Sequence, residues 1–369
     1  MKKTTIRIIV GIEIAIALLA VIAIIRAVVL NNIGKVEFKD DIMEIKIAKS
    51  AWGKSAGDFR VEDLDKVKSL DIRYTGFYDT LIDIEKCKNL ERLKIGQIEC
   101  TEKQIPENKE RIRQIEEELR GILKECQQID SLFIIGTEHY FQLNDLEFLK
   151  NGKKLEDLSL FYQPALDYSA ISEVPQLKSL IFVGCELGKM DMLSELKELE
   201  SLWIKECDVT EAGEIVQLET LAELRIEDTP LAGNGAAIEA ISENCPNIKS
   251  LILTWEEGGL DSLEFLKNEK NLEELILTNQ SSLDYSIISE CTKLRNLSLN
   301  GCDISDLSML CELEKLESLG LSGTKVSEAR DILKLKNLKS LYIKNTPLAE
   351  NEEQLALIYQ QFPDIEIDR

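Results

Sequence analysis

The chain holds a single histidine, His139, in 369 residues. No nucleophile or orienting acid accompanies it in the sequence, so it supplies neither an acid–base pair nor an activated nucleophile, and a loop residue is expected. No glycine-rich phosphate loop, nucleophile elbow or cluster with metal-ligand spacing is present either. An enzyme is not expected, nor a cofactor or metal. Positive charge is the next shortage. Lys and Arg number 44 against 67 Asp and Glu, for a net charge of −23. Lys2, Lys3, Arg7 and Arg26 outweigh Glu13 in the first 30 residues by three, which leaves the rest of the chain at −26. Such an acidic body repels phosphate backbones and anionic membrane surfaces, so nucleic acid is not an expected partner.

The N-terminus is apolar. Residues 8–25 contain one charge, Glu13, and extending the run to residue 30 adds only Arg26. About 20 such residues are enough to cross a bilayer. Lys2, Lys3 and Arg7 precede the run, which favours a single-pass signal-anchor with a cytoplasmic N-terminus and an extracytoplasmic body. A cleaved signal peptide competes, with Val21 and Ala23 before the cut. Ile24, Ile25, Val28 and Val29 continue the apolar run past that point and favour the uncleaved anchor. The run has no cysteine for lipid attachment. Glu13 is either a partner for a basic residue on another membrane helix or a carboxyl near the cytoplasmic side, where water reaches it.

The body is built on a six-residue motif: an aliphatic, two variable residues, an aliphatic, one variable residue, an aliphatic. Twelve copies begin at Val67, Leu90, Ile129, Leu155, Leu177, Leu199, Leu221, Ile248, Leu272, Leu294, Leu316 and Leu338. Six of the eleven intervals are 22 residues. A fixed period of this length implies a solenoid whose units bury their apolar sides only by stacking. Each repeat reads as a short strand, a turn and a return segment, with motif aliphatics inward and alternate residues outward.

The cysteines fit the same frame. Nine is an odd number, so not all of them pair within the chain. Cys185, Cys207 and Cys302 lie three residues past a motif, where Thr229, Thr324 and Thr346 stand elsewhere. Cys87, Cys126, Cys245 and Cys291 lie three residues before one, where Leu196, Leu218, Leu313 and Leu335 stand elsewhere. They read as small buried hydrophobes. A reducing setting suits them.

Three intervals are long enough to hold a helix. Ile112, Ile115, Leu119, Ile122 and Cys126 form a helical stripe after Pro106. Ile238, Ile241 and Cys245 repeat its end, as do Leu355, Ile358 and Phe362. A higher period follows. LEFLKNGKKLEDL (146–158) and LEFLKNEKNLEEL (263–275) match at ten of 13 positions, offset by 117. The body is read as a partial block, 67–128, and two full blocks, 129–247 and 248–369. Residues 1–34 are the cytoplasmic stub and anchor. Residues 35–66 are an N-terminal cap with a helix starting near Ile42, capped by Asp40 or Asp41 and burying Ile42, Ile45, Ala48 and Trp52.

The 22-residue units LRNLSLNGCDISDLSMLCELEK (294–315) and LESLGLSGTKVSEARDILKLKN (316–337) resemble the repeats of bacterial leucine-rich repeat proteins of the internalin type. The segment 38–44 is similar to the start of the helical cap before many such arrays. The resemblance implies an α/β solenoid: a leucine-rich repeat horseshoe with a parallel concave β-sheet, here with an N-terminal transmembrane helix and a helical cap. It also implies binding of another macromolecule. The long helical repeats depart from internalins, and the chain has no C-terminal wall-sorting motif.

The concave positions give the candidate site. Phe133, Ile135, Phe161, Ile181, Val183 and Trp203 form an apolar stripe on four neighbouring strands, ended by Glu223, Arg225 and Glu227. In the second block, Thr278, Ser298, Asn300 and Gly320 replace Phe161, Ile181, Val183 and Trp203, so the scaffold does not require apolar groups there. A rimmed apolar patch with an aromatic anchor marks an interaction site. Two readings compete with it: the 96–128 insertion folds over the stripe, or tight curvature packs its side chains on one another. The expected function is a membrane-anchored module binding a protein or peptide on its concave face. The alternative is a structural scaffold for complex assembly at the cytoplasmic face.

Overall fold

The computed structural model describes Val21 and residues 34–369, apart from residues 52, 54–58, 74–77, 97–104, 137–140, 165, 256–258 and 281–282. The anchor expected over residues 8–30, Glu13 included, and His139 lie outside the described residues. Among the described residues, no helix is long and apolar enough to cross a membrane.

Every motif becomes a strand that starts two residues after its first aliphatic. The strands are β1 (Ser69–Asp71), β2 (Arg92–Gly96), β3 (Ser131–Ile135), β4 (Asp157–Phe161), β5 (Ser179–Val183), β6 (Ser201–Lys205), β7 (Glu223–Glu227), β8 (Ser250–Thr254), β9 (Glu274–Thr278), β10 (Asn296–Ser298), β11 (Ser318–Gly320) and β12 (Ser340–Tyr342). The stub after Phe362 supplies β13 (Glu366–Asp368). The thirteen strands form one sheet in sequence order, and every neighbouring pair is parallel. Motif aliphatics such as Leu158, Leu160, Leu180 and Leu202 are fully buried behind it.

Return segments are 3-10 turns, as at Asp191–Glu195, where Met192 and Leu193 are buried. Among the described residues, four α-helices of ten or more residues join them. The first, α1 (Asp41–Ser50), has Asp40 as N-cap, whose side chain accepts from the Met43 amide. Its buried residues are Met43, Ile47 and Ala48, while Ile45 is 55% exposed. Of the expected face, Ala48 is buried and Ile42 packs against the core, while Ile45 faces out and the i, i+4 pair Met43 and Ile47 takes its place. Trp52 lies outside the described residues.

The helix α2 (Ile105–Glu125) buries the expected stripe of Ile112, Ile115, Leu119, Ile122 and Cys126. It packs on the turns Ile82–Lys86 and Glu147–Asn151, on the side of the solenoid away from the outward sheet face. The insertion helix therefore does not cover the stripe. The last two helices, α3 (Gly235–Asn244) and α4 (Glu352–Gln361), start and end 117 residues apart. Asn234 and Asn351 cap them in the same way. Strands stack about 4.8 Å apart, while helices behind them are about 10 Å thick. The sheet therefore lines the inside of the curve.

Residues three past the motifs close the turns from within. Gln163 Oε1 accepts from the Leu143 amide at 2.7 Å, and its counterpart Gln280 accepts from Leu260 at 2.8 Å. Tyr168 and Tyr285 each donate a hydroxyl to the carbonyl of that glutamine.

Candidate functional site

Register fixes the stripe as two rows across the sheet. One runs Phe133, Ser159, Ile181, Trp203, Arg225; the other runs Ile135, Phe161, Val183, Lys205, Glu227. All six candidate residues are therefore brought together. They lie outside the main hydrophobic cluster, which is built from the inward aliphatics. Ile135 and Val183 are 8% and 5% exposed, and Phe133, Phe161, Ile181 and Trp203 are half-buried. Much of that cover is mutual. The rings of Phe133 and Phe161 have centroids 4.6 Å apart.

Cations sit at both ends. Arg73 lies 4.9 Å and Lys94 5.9 Å from the Phe133 centroid, and Arg225 lies 4.5 Å from that of Trp203. Acids hold them in place. Asp71 takes two hydrogen bonds from the Arg73 guanidinium, which keep its carboxyl below the usual carboxylate range. Glu227 Oε1 accepts from Arg225 Nε at 3.1 Å and from its terminal nitrogen at 2.7 Å. Trp203 Nε1 is buried and has no hydrogen-bond partner.

The corresponding face of the second copy keeps Ile252 and Ile276 but is polar or small and closely fitted at Thr278, Ser298, Asn300 and Gly320. Asn300 Oδ1 accepts from the Ser322 amide at 2.8 Å, and a Cβ on Gly320 would stand 2.8 Å from Ser298 Oγ.

A depression of about 580 Å³ adjoins the stripe where the chain leaves β4 to β7. Its rim contains Tyr162, Gly184, Glu206 and Asp228, all in left-handed backbone conformation with φ of 54, 63, 52 and 48°. They recur every 22 residues at the sharp exit from each strand. Cys185 and Cys207 follow the second and third of them and line the depression, with Trp255 also on its wall. The sequence reading missed this column. Its signal was the glycine or asparagine at the same place in later repeats, at Asn279, Gly301, Gly323 and Asn345.

Several acidic residues are buried rather than solvated. Asp83 Oδ2 accepts from the amides of Lys39 and Asp40 at 2.7 and 2.9 Å. Glu116 on α2 accepts from the amides of Asn144 and Asp145. These carboxylates stay in the interior because they satisfy loop amides. Glu269 differs. It is 1% exposed, neither carboxyl oxygen has a hydrogen-bond partner, and burial pushes its carboxyl up to about 7. It stands three residues before the Leu272 motif, in a column that is otherwise Leu, Cys, Val or, at Gly152, glycine. Among the described residues, no three His, Cys, Asp or Glu side chains are placed to hold a metal ion.

No family model matches the chain, and none of the curated proteins does. Solved structures do. An internalin of Listeria monocytogenes is 17% identical with a TM-score of 0.56, over 90% of this chain and 96% of that one. The protein of a TLR13–ssRNA13 complex is 19% identical with a TM-score of 0.53, over 77% of this chain and 44% of that one. At these identities the likeness is one of fold. The chain has the leucine-rich repeat fold, with internalin-like repeats on a parallel thirteen-stranded sheet.

Proposed function

We propose that the protein is a binding module for a protein or peptide, and that Phe133, Ile135, Phe161, Ile181, Val183 and Trp203 are its contact surface. One observation carries the reading. These side chains form an apolar patch apart from the core, at positions where the second copy carries Thr278, Ser298, Asn300 and Gly320. The fold is thus satisfied without apolar groups at those four positions, Phe161, Ile181, Val183 and Trp203. Half-buried aromatic rings are the groups from which a partner gains most on desolvation. A chain with a net charge of −23 disfavours a phosphate backbone, although the TLR13 structure holds single-stranded RNA.

In the same reading, residues 8–30 anchor the protein in a membrane, α1 caps the solenoid, and the repeats lie outside the cytoplasm. Composition and flanking charge support the anchor. Protease added to intact cells then removes the body. Protection of the body moves the reading to a scaffold at the cytoplasmic face. The eight free cysteines among the described residues favour such a reducing setting.

The contact surface is tested by giving the first copy the residues of the second: Phe161→Thr, Ile181→Ser, Val183→Asn and Trp203→Gly together. Partner capture from native membranes is lost while the circular dichroism spectrum is kept. Capture at wild-type level by the folded variant overturns the assignment. The simpler pair Trp203→Asp and Phe161→Ser, expected from sequence to leave stability nearly unchanged, breaks the ring contact with Phe133 and costs about 1–2 kcal/mol.

A further inference from the structure

We propose that Cys185 and Cys207 are a redox-active dithiol that closes to a reversible disulfide across two adjacent rungs of the solenoid. Register sets the pairing. Strands β5 and β6 align Val183 with Lys205, and each cysteine follows two residues later, past a left-handed residue in both rungs. Adjacent rungs run about 4.8 Å apart, within the roughly 4.4–6.8 Å between Cα atoms that a disulfide needs. Each thiol donates to backbone carbonyls at its strand exit, Cys185 Sγ to those of Leu160 and Val183 and Cys207 Sγ to those of Phe182 and Lys205. The neighbouring Cys207 thiol draws Cys185 down to about 7, and Cys185, with burial, pushes Cys207 up. One sulfur is thus the nucleophile and its neighbour keeps the proton. Both cysteines are buried, 2% and 5% exposed, but both line the depression, the side from which a small oxidant would approach them.

The other cysteines supply the contrast. The equivalent pair 117 residues on is Cys302 and Thr324, which has no second sulfur. Cys87 and Cys126 stand on neighbouring rungs, but burial pushes both up to about 12. Cys245 and Cys291 are separated by the rung that carries Glu269.

With hydrogen peroxide as oxidant, the Cys185 thiolate attacks one peroxide oxygen and the O–O bond breaks. This leaves a sulfenic acid on Cys185 and a hydroxide that takes up a proton as water. The Cys207 sulfur then attacks the sulfenic sulfur, and the departing hydroxide leaves as water with the Cys207 proton. Two thiols have become a disulfide and one peroxide two waters. A dithiol reductant reverses the step by exchange.

The test uses the full folded chain treated with hydrogen peroxide, quenched by alkylation, digested without reduction and read by mass spectrometry. The expected product is a peptide pair linked through Cys185 and Cys207, abolished by dithiothreitol and formed at least tenfold faster than any modification of Cys302. Cys207→Thr copies the residue found at Thr324. In this variant Cys185 stops at the sulfenic acid and is captured by dimedone. Equal rates at Cys185 and Cys302 in the folded wild type overturn the proposal. So does oxidation of Cys185 to sulfinic acid with no link to Cys207.

Discussion

The guanidinium of Arg225 lies 4.5 Å from the centroid of the Trp203 ring and is held there by Glu227. Stacking of this kind contributes about 0.5–2 kcal/mol, depending on how far the pair is desolvated. Arg225→Ala is expected to lower stability by about 1 kcal/mol and to expose the indole, shifting tryptophan emission to longer wavelength. Glu227→Ala frees the guanidinium without deleting it and gives a smaller shift in the same direction. Unchanged emission and melting temperature in both variants would mean that the stack does not order Trp203.

Glu269 makes stability fall as pH rises. Its carboxyl has an ordinary value of 4.5 and stands at about 7 in the folded chain, because burial disfavours the charged form. Cys245 and Cys291 on the flanking rungs feel the same carboxylate, which raises both thiols further. The folded state therefore binds the Glu269 proton more tightly than the unfolded state does. The stability that this proton confers is full below about 4.5, is lost between 4.5 and 7, and does not change above that. The loss is about 3 kcal/mol. Glu269→Leu restores the residue that this column carries at Leu196, Leu218 and Leu313. Urea unfolding at pH 5 and pH 8 is expected to show the variant gaining on the wild type at pH 8 by about that amount. An equal difference at the two pH values would be fatal to this account.

What the sequence makes legible here follows from its periods. A two-residue alternation inside a 22-residue period separates inward Leu160 and Leu202 from outward Phe161 and Trp203, so the strands, their order and the position of the stripe can be read from the residues. The offset of 117 places α3 and α4 in register before either is seen. Contacts between rungs are not periodic in this way. Nothing in the spacing announces that Phe133 and Phe161 bury each other, or that α2 lies behind the sheet and away from the stripe. Nor does spacing tell the buried Glu116, with its loop amides, from an exposed glutamate. Glu269 was within reach, since aligning it three residues before Leu272 puts it in a column with no other charged or polar side chain. The left-handed exits were within reach too, through Gly301 and Gly323. At α1 Ala48 and Ile42 meet the core as read, but Ile45 does not, because Met43 and Ile47 fill that side of the helix.

The duplicated helix caps give a paired measurement. Asn234 Oδ1 accepts from the Ala237 amide at 3.1 Å, and Asn351 Oδ1 accepts from that of Gln354 at 3.2 Å. Each bond satisfies one of the free amides at a helix start, and replacement by Ala costs about 1 kcal/mol. Asn234 has a second task, since its Nδ2 donates to the Thr210 carbonyl at 2.8 Å. Asn234→Ala is therefore expected to lower the melting temperature more than Asn351→Ala. Asn234→Asp, which keeps the cap and loses the donor, falls between wild type and Asn234→Ala. Equal effects of the two alanine variants would remove any role for the Thr210 bond.

Glu206 occupies a left-handed conformation, φ 52°, that its counterpart Gly323 takes at φ 72°. A side chain there costs about 1–2 kcal/mol, and glycine gives back part of the difference through its freedom in the unfolded chain. The ion pair of Glu206 with Lys205, at 3.6 Å and half-exposed, contributes little. Glu206→Gly is therefore expected to leave stability unchanged or raise it by up to about 1 kcal/mol. Thermal melts of the variant and wild type in the same buffer decide this, and a fall of several degrees would show that the glutamate makes a structural contact worth more than its strain. The second copy shows that the fold accepts glycine at this turn. A glutamate kept there in the first copy, on the rim of the depression beside the stripe, is then explained by what approaches the rim. If so, Glu206→Gly weakens partner capture while the protein becomes no less stable.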